Sequence, residues 1–266
     1  MGRPVSPERS QILDAEITEE AAVIVYQTPR KVISVLENGI AKKWTRGDSQ
    51  LHEMEALRVA KECGLLVPDV RGYGTTPAGK IWLAMDKIAG QPLEQVWKDL
   101  SKTKKTAIAQ QLGAFMAQKR AMPPPEGHIG GPRAGQPGRE IRQYHDYEIP
   151  ACRDESEFNK YLLGALLWNT PVPFRNAFAE CLRADHRIVY THADFALRNI
   201  MVQDGQVTGV LDWENAGWFP EYWEYVKFFH QNFGNNDFRD YADIIFPRSF
   251  PNELITYTAL LKYQYP

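Results

Sequence analysis

Two short segments constrain this chain more than anything else in it. Residues 191–202 carry His192, Asp194 and Asn199 just ahead of the apolar run Ile200-Met201-Val202, and in residues 209–214 Asp212 directly follows Val210-Leu211. Asp204-Gly205 lies between the two apolar runs, a dipeptide that makes a tight turn, so the runs are expected to pair as a hairpin. Pairing brings Asn199 and Asp212, at the outer ends, next to each other. Oxygen ligands set side by side suit Mg²⁺, which prefers carboxylates, amides and phosphate oxygens. Asp194, on the same polar loop as Asn199, points into the same cleft.

The rest of the chain divides into a strand-rich first part and a helical second part. Residues 23–26, 31–36 and 39–44 are rich in β-branched side chains, with Pro29 and Asn38-Gly39 as turns between them. A helix is expected over residues 49–63, stopped by Gly64. Strands follow at 69–73 and 80–86, with Pro77 and Gly79 between them. Ile88-Ala89-Gly90-Gln91-Pro92 reads as a linker. Helices are then expected at 93–100, 104–122, 158–169 and 175–184, and the chain after Pro220 is aromatic and mostly helical. Residues 123–139, rich in Pro and Gly, read as a long loop. The expected architecture is α+β with two lobes and a cleft between them: residues 1–88 as a nucleotide-binding lobe, residues 89–266 as a catalytic and substrate-binding lobe.

An H-x-D-x-x-x-x-N loop followed by a strand hairpin and a second, metal-binding Asp resembles the catalytic region of kinases. Such a site needs a lysine on the third strand, and Ile40-Ala41-Lys42-Lys43 aligns with the V-A-I-K pattern. Strand alternation puts Lys43 on the face of Ala41 and Lys42 on the other, so Lys43 is the phosphate candidate, with Lys42 as the alternative. The following helix offers Glu53 or Glu55 as its partner. Two residues apart, they cannot share a face, and Glu53 is preferred. Residues 81–90 fit a strand running into an interlobe hinge, where backbone groups of Met85, Asp86 and Ile88 would meet an adenine edge and Gly90 would permit the turn. There is no G-x-G-x-x-G between the first strands. A short loop from Tyr26 to Lys31, with basic residues, stands in its place. That departure, with Asp212-Trp213-Glu214 in place of D-F-G and no A-P-E segment, weighs against a protein kinase.

His192-Ala193-Asp194-Phe195-Ala196-Leu197-Arg198-Asn199 and Leu211-Asp212-Trp213-Glu214 resemble the H-G-D-x-x-x-x-N and I-D-W-E motifs of the aminoglycoside phosphotransferase and choline kinase family. Residues 213–227, and Glu157-Phe158-Asn159, are similar to signatures of its fungal branch. The resemblance runs from about residue 20 to the C-terminus. It implies a two-lobed protein-kinase-like fold, with a small antiparallel-sheet N-lobe and a mainly helical C-lobe. It also implies transfer of the ATP γ-phosphoryl group to a small-molecule hydroxyl. Carried over by position, Asp194 is the catalytic base, Asn199 and Asp212 bind Mg²⁺, and Lys43 and Glu53 form an ion pair. Ala193 stands where the family usually has Gly, and Ala196-Leu197 where many members have Pro or His.

Composition narrows the partners. A formal net charge of −2 offers no basic field for nucleic acid. No apolar run approaches the roughly 18 residues needed to span a bilayer. The start, Met1-Gly2-Arg3-Pro4, lacks the apolar stretch of a secretory signal, and Pro4 speaks against myristoylation at Gly2. Cys63, Cys152 and Cys181 form no C-x-x-C pair and read as reduced thiols of a cytoplasmic protein. For the acceptor, Glu214, Glu221 and Glu224 near Trp213, Trp218, Tyr222 and Trp223 suit a cationic amine, against a plainer reading as core aromatics and solvated glutamates. The alternative function is a catalytically inactive kinase-like scaffold. It predicts a lost catalytic group, whereas Lys43, Glu53, Asp194, Asn199 and Asp212 are all present.

Overall fold

The turn at Asn38-Gly39 sets the register of the first sheet. Gly39 takes φ +80°, its N–H donates to Leu36 O at 3.0 Å, and Asn38 Oδ1 accepts from Ile40 N–H at 3.2 Å. The computed structural model describes residues 22–27, 31–45, 49–75, 81–142, 145–231, 234 and 236–265. Expectations for Met1 to Pro4, for Pro29 and residues 28–30, for Pro77 and Gly79, and for the first residue of the strand at 80–86 lie outside the described residues.

Strands β1 (Ala22–Gln27), β2 (Lys31–Leu36), β3 (Ile40–Thr45), β4 (Val70–Thr75) and β5 (Ile81–Asp86) form one antiparallel sheet in the order β1-β2-β3-β5-β4. β3 is central, with Lys43 opposite Ile33 and Leu83, and Lys42 opposite Ser34 and Ala84. Alternation therefore sends the two lysines to opposite faces. Helix α1 (Ser49–Glu62) buries Glu53, Met54, Ala56, Leu57 and Ala60. Gly64, at φ +71°, ends it: Gly64 N–H donates to Lys61 O at 2.9 Å and Leu65 N–H to Ala60 O at 3.1 Å.

The expected linker is more structured than its composition suggests. Gln91–Pro92 is a short strand, β6. It lies antiparallel to β10 (Ile200–Gln203), which itself pairs with β11 (Gln206–Val210). Thr208 Oγ1 donates to Ala89 O at 2.6 Å, so the interlobe crossing is fastened to the β10–β11 hairpin. Gly90 makes this approach possible. It sits at φ +95°, and a Cβ there would lie 2.3 Å from Val202 O.

Beyond the crossing run α2 (Leu93–Val96), a 3₁₀ turn (Trp97–Asp99) and α3 (Lys102–Arg120), whose N-cap Ser101 accepts from Lys104 N–H. The expected loop over 123–139 stops short, because Gly138–Arg142 is a strand, β7, paired with β8 (His145–Ile149). The rest of that loop is laced onto β12 (Gly217–Pro220): Gly130 and Trp218 exchange N–H···O bonds of 2.9 Å. Helices α4 (Glu155–Gly164) and α5 (Val172–Cys181) both start three residues before their expected positions. Asp154 caps α4 by accepting from Glu157 N–H at 2.9 Å. Pro171 serves as the N-cap of α5 rather than the stop of α4. Strand β9 (Ile188–Thr191) pairs with β12, and α6 (Trp223–His230), α7 (Ala242–Ile245) and α8 (Pro251–Leu261) complete the chain. Trp97, Tyr190, Phe195, Trp213, Phe219, Trp223 and Phe228 are buried in the core of this lobe. No helix among the described residues is long and apolar enough to cross a membrane.

Gly90→Ala is expected to lose about 2 kcal/mol or more of stability, because it adds left-handed strain to a backbone clash. Thermal denaturation checks this. An unchanged melting temperature would mean that β6 does not hold its place against β10.

Candidate active site

Lys43 and Glu53 meet because strand alternation and helix periodicity both turn them inward. Lys43 Nζ donates to Glu53 Oε2 at 2.5 Å, and both side chains are buried. Lys42 faces away, with its ammonium 4.5 Å from the centre of the Trp82 ring. Glu55 points elsewhere too, accepting from Arg58 at 3.0 Å and Arg133 at 3.1 Å.

On the opposite lobe, β9 leads into the polar loop. Ala193 adopts φ +63°, a left-handed conformation that explains why a glycine suits this position. The loop is held from inside the lobe by Glu224, whose Oε2 accepts from His192 N–H at 2.7 Å and whose Oε1 accepts from Ala193 N–H at 2.9 Å. Lys119 Nζ also donates to Glu224 Oε2, within a fully buried pair. Burial opposes the ionised form of Glu224, but Lys119 and the loop hold its pKa below the ordinary value. His192 ties the loop to the hairpin. Its Nδ1 accepts from Asp194 N–H at 3.2 Å, which leaves Nε2–H to donate to Leu211 O at 2.9 Å. Burial pushes its pKa down.

Asp194 is 7% exposed. Arg198 Nη2 donates to its two oxygens at 2.6 and 2.8 Å, and Asn199 Nδ2 donates to its Oδ2 at 2.8 Å and its carbonyl at 2.9 Å. Burial raises the Asp194 pKa, and Arg198 opposes that rise. With its amide protons directed at Asp194, Asn199 keeps Oδ1 as its ligand-capable atom.

The turn between β10 and β11 has positive φ at both central residues, Asp204 (+52°) and Gly205 (+79°). The hairpin then sets Leu211 opposite Asn199, with Leu211 N–H donating to Asn199 O at 2.8 Å. Asp212, the next residue, is also left-handed, at φ +64°. Its carboxylate reaches across the cleft, with Oδ1 2.7 Å from Lys43 Nζ and Oδ2 2.9 Å from Lys31 Nζ. Glu214 joins them, at 3.0 Å from Lys31 and 3.3 Å from Lys43. Burial works against the Asp212 carboxylate, yet Lys43 and Lys31 hold its pKa far below the ordinary carboxylate range. Burial likewise lowers the Lys43 pKa, but Asp212, Glu53 and Glu214 outweigh it, and the ammonium stays charged. Carboxylate oxygens of Glu53, Asp212 and Glu214 lie within 4.8 Å of one another. All are hard oxygen donors, so the residues fit a Mg²⁺ ion.

At the crossing, Met85 is buried within β5. Asp86 N–H donates to Asp69 O and Lys87 N–H to Gly39 O, while the Asp86 carboxylate takes a two-pronged contact from Arg71 at 2.5 and 2.7 Å. Neither Asp86 N–H nor its side chain is left for a ligand. Ile88 N–H has no partner among the described residues.

The acidic and aromatic residues suggested for a cationic acceptor do not line a common surface. Trp213, Trp218, Tyr222 and Trp223 are core side chains. Glu224 is committed to the loop, Glu221 is buried near Arg248, and Glu214 belongs to the lysine cluster. Sequence reasoning placed Lys31 in the short basic loop between the first strands but missed its reach to Asp212 and Glu214, and it missed the role of Glu224. Lys31 opens β2 next to a loop already noted as basic. Nothing local marks Glu224, whose bonds to the loop span about thirty residues.

A family model described as the phosphotransferase enzyme family matches residues 40–250. No curated protein matches the chain. Among solved structures, the chain is similar to aminoglycoside phosphotransferase APH(4)-Ia, with 15% identity and a TM-score of 0.67 over 96% of this chain and 89% of that one. It is also similar to APH(2'')-IIa in its complex with streptomycin and ATP, with 14% identity and a TM-score of 0.61 over 92% and 82%. The GDP complex of aminoglycoside 2'-phosphotransferase-IIIa matches at 14% identity and a TM-score of 0.61, over 96% and 86%. These likenesses give the fold, the two-lobed protein-kinase-like α+β architecture.

Glu224→Gln would leave the Lys119 ammonium buried without its carboxylate. A loss of about 3–5 kcal/mol is expected. The double variant Lys119→Met/Glu224→Gln is expected to recover part of it. Denaturant unfolding of wild type and both variants tests this, and equal midpoints for all three would contradict the pairing.

Proposed function

The chain belongs to the phosphotransferase enzyme family, and from that premise we propose that it moves the γ-phosphoryl group of ATP to a hydroxyl of a small molecule. The observation that carries this reading is the setting of Asp194: buried, clamped by Arg198 and Asn199, and one hairpin away from Asp212 among the lysines of the sheet.

Phosphoryl transfer asks for positioning and charge neutralisation rather than covalent catalysis. Asp194 orients the acceptor hydroxyl and takes its proton. Burial makes Asp194 a stronger proton acceptor, while Arg198 favours its ionised form. Lys43 holds the phosphates, steadied by Glu53. Asn199 Oδ1 and Asp212, with Glu214 alongside, are the groups that would hold Mg²⁺, which when bound neutralises charge on the phosphate oxygens. Ile88 N–H meets the adenine edge. Residues 1–88 then serve the nucleotide and residues 89–266 the acceptor and the chemistry. The acceptor class in this reading is an amine- or sugar-containing metabolite, by analogy with relatives whose names specify aminoglycosides. The three free cysteines accord with a cytoplasmic setting.

A screen of hydroxyl-bearing metabolites for Mg²⁺- and ATP-dependent ADP release tests the reading, with Asp194→Asn as the blank. That variant is expected to lose about 10²-fold or more in kcat while its ATP affinity holds. Undiminished turnover would remove Asp194 from its role.

The acidic limb of the kcat/KM profile is expected above the ordinary Asp value of 3.8, in line with the raised Asp194 pKa. Arg198 favours the carboxylate, so Arg198→Met should move that limb to higher pH. A limb that stays put, or moves down, would show that Asp194 does not govern it.

A further inference from the structure

Lys31 opens β2, and its ammonium crosses the cleft. It lies 2.9 and 3.3 Å from the two oxygens of Asp212 and 3.0 Å from Glu214 Oε1. An ammonium that donates to both oxygens of a carboxylate uses the lone pairs that a hard divalent cation would use. Lys43 also contacts Asp212 and Glu214 but is anchored to Glu53 on its own lobe. The carboxylates that hold Lys31 both come from the turn after β11, some 180 residues away in sequence.

Two facts give Lys31 more than a bracing role. The sequence has no G-x-G-x-x-G between its first two strands, the loop that covers the phosphates in protein kinases, and Lys31 stands at the edge of the segment that replaces it. The cluster also sets three carboxylates (Glu53, Asp212 and Glu214) against two ammonium groups (Lys31 and Lys43). A divalent cation arriving there competes with both lysines for the same oxygens. A displaced Lys31 needs a new anion, because a half-buried ammonium left unpaired is costly. The triphosphate that accompanies the metal supplies one.

We infer that Lys31 is a nucleotide-contacting lysine with two alternative anchors. One anchor is the pair Asp212 and Glu214, which it holds here, and on binding of metal and nucleotide it yields those oxygens and takes the triphosphate. The exchange breaks and forms only ion pairs and hydrogen bonds, and each charge remains paired at its end. The inference rests on the phosphotransferase reading above.

An exchange makes Lys31 act on the two ligands in opposite senses. Without it, the carboxylates face Lys43 alone and attract a divalent cation more strongly, while the triphosphate loses a cationic partner. A purely structural brace would weaken both interactions when removed, and a plain phosphate contact would leave metal binding unchanged.

The test uses the full chain and two binding measurements that need no turnover. Mn²⁺ alone is titrated by electron paramagnetic resonance, and ATP in the presence of Mg²⁺ by calorimetry, for wild type, Lys31→Met and Lys31→Arg. Lys31→Met is expected to bind Mn²⁺ about tenfold more tightly and ATP about tenfold more weakly, the size of one charge-assisted hydrogen bond. Lys31→Arg is expected to bind Mn²⁺ as wild type does. If Lys31→Met fails to fold by circular dichroism, Lys31→Gln takes its place in the same titrations. Unchanged or weaker Mn²⁺ binding in the neutral variant overturns the exchange, as does unchanged ATP binding. With wild type still binding ATP, either result leaves the phosphotransferase reading standing. Wild type that binds no ATP overturns both.

Discussion

The Asp212 carboxylate lies in the cleft between two lysines that belong to the other lobe, and much of the fold serves to make that position tenable. A carboxylate partly withdrawn from water among other acidic groups is costly unless cations meet it. Lys43 reaches it because β3 is central and alternation turns residue 43, not 42, toward α1. Lys31 reaches it because β2 lies beside β3 with Lys31 opposite Thr45. Asp212 itself is strained, in a left-handed backbone conformation that costs an L-residue about 1–2 kcal/mol. The ion pairs across the cleft offset that strain, and they bind the sheet to the catalytic hairpin at the point where the lobes must cooperate.

A second buried charge cluster holds the other side of the site. Lys119 and Glu224 lie wholly inside the C-lobe, where a buried pair adds little net stability over an apolar equivalent. What it provides is direction. Glu224 fixes two successive N–H groups just before Asp194, His192 joins the same loop to Leu211, and Asn199 closes the loop back onto Asp194. The left-handed Ala193 is tolerated because its neighbours on both sides are tied down. The groups proposed as proton acceptor and metal ligands thus share one scaffold whose freedom is removed by hydrogen bonds rather than by apolar contact alone.

The parts of this site that could be read from the sequence are those governed by local rules. Asp204-Gly205 dictated a tight hairpin, and both residues do adopt positive φ. Strand alternation separated Lys43 from Lys42, and helix geometry separated Glu53 from Glu55. The first three strands of the first sheet followed from β-branched runs punctuated by turns. Elements made by long-range pairing were not legible. β9 and β12 are each four residues long and pair across an intervening hairpin, too short for a periodic signal. β7 begins inside a Pro- and Gly-rich stretch, whose composition hid it. At the crossing, the Asp86 N–H and carboxylate are taken up by Asp69 O and Arg71, and only coordinates reveal how hydrogen bonds are allotted.

The same division explains why the groups proposed for the nucleotide are more readable than those proposed for the acceptor. The groups proposed to handle a triphosphate are set by hairpin turns and strand faces, and these leave regular marks a few residues apart. The aromatic run after Asp212 has a distinctive composition, yet its rings build the core and its glutamates hold other protein groups. Elsewhere in this lobe, Glu140 on β7 is surrounded by Tyr161, Tyr257, Lys227 and Arg142, drawn from four separate elements or positions. Lys227 in turn lies close enough to feel the charge of Asp194. A buried cluster assembled in this way depends on residues far apart in sequence, so composition cannot specify it. The packing of β7, α6 and α8 beside the loop that carries Asp194 is therefore set by contacts that no short stretch of sequence encodes.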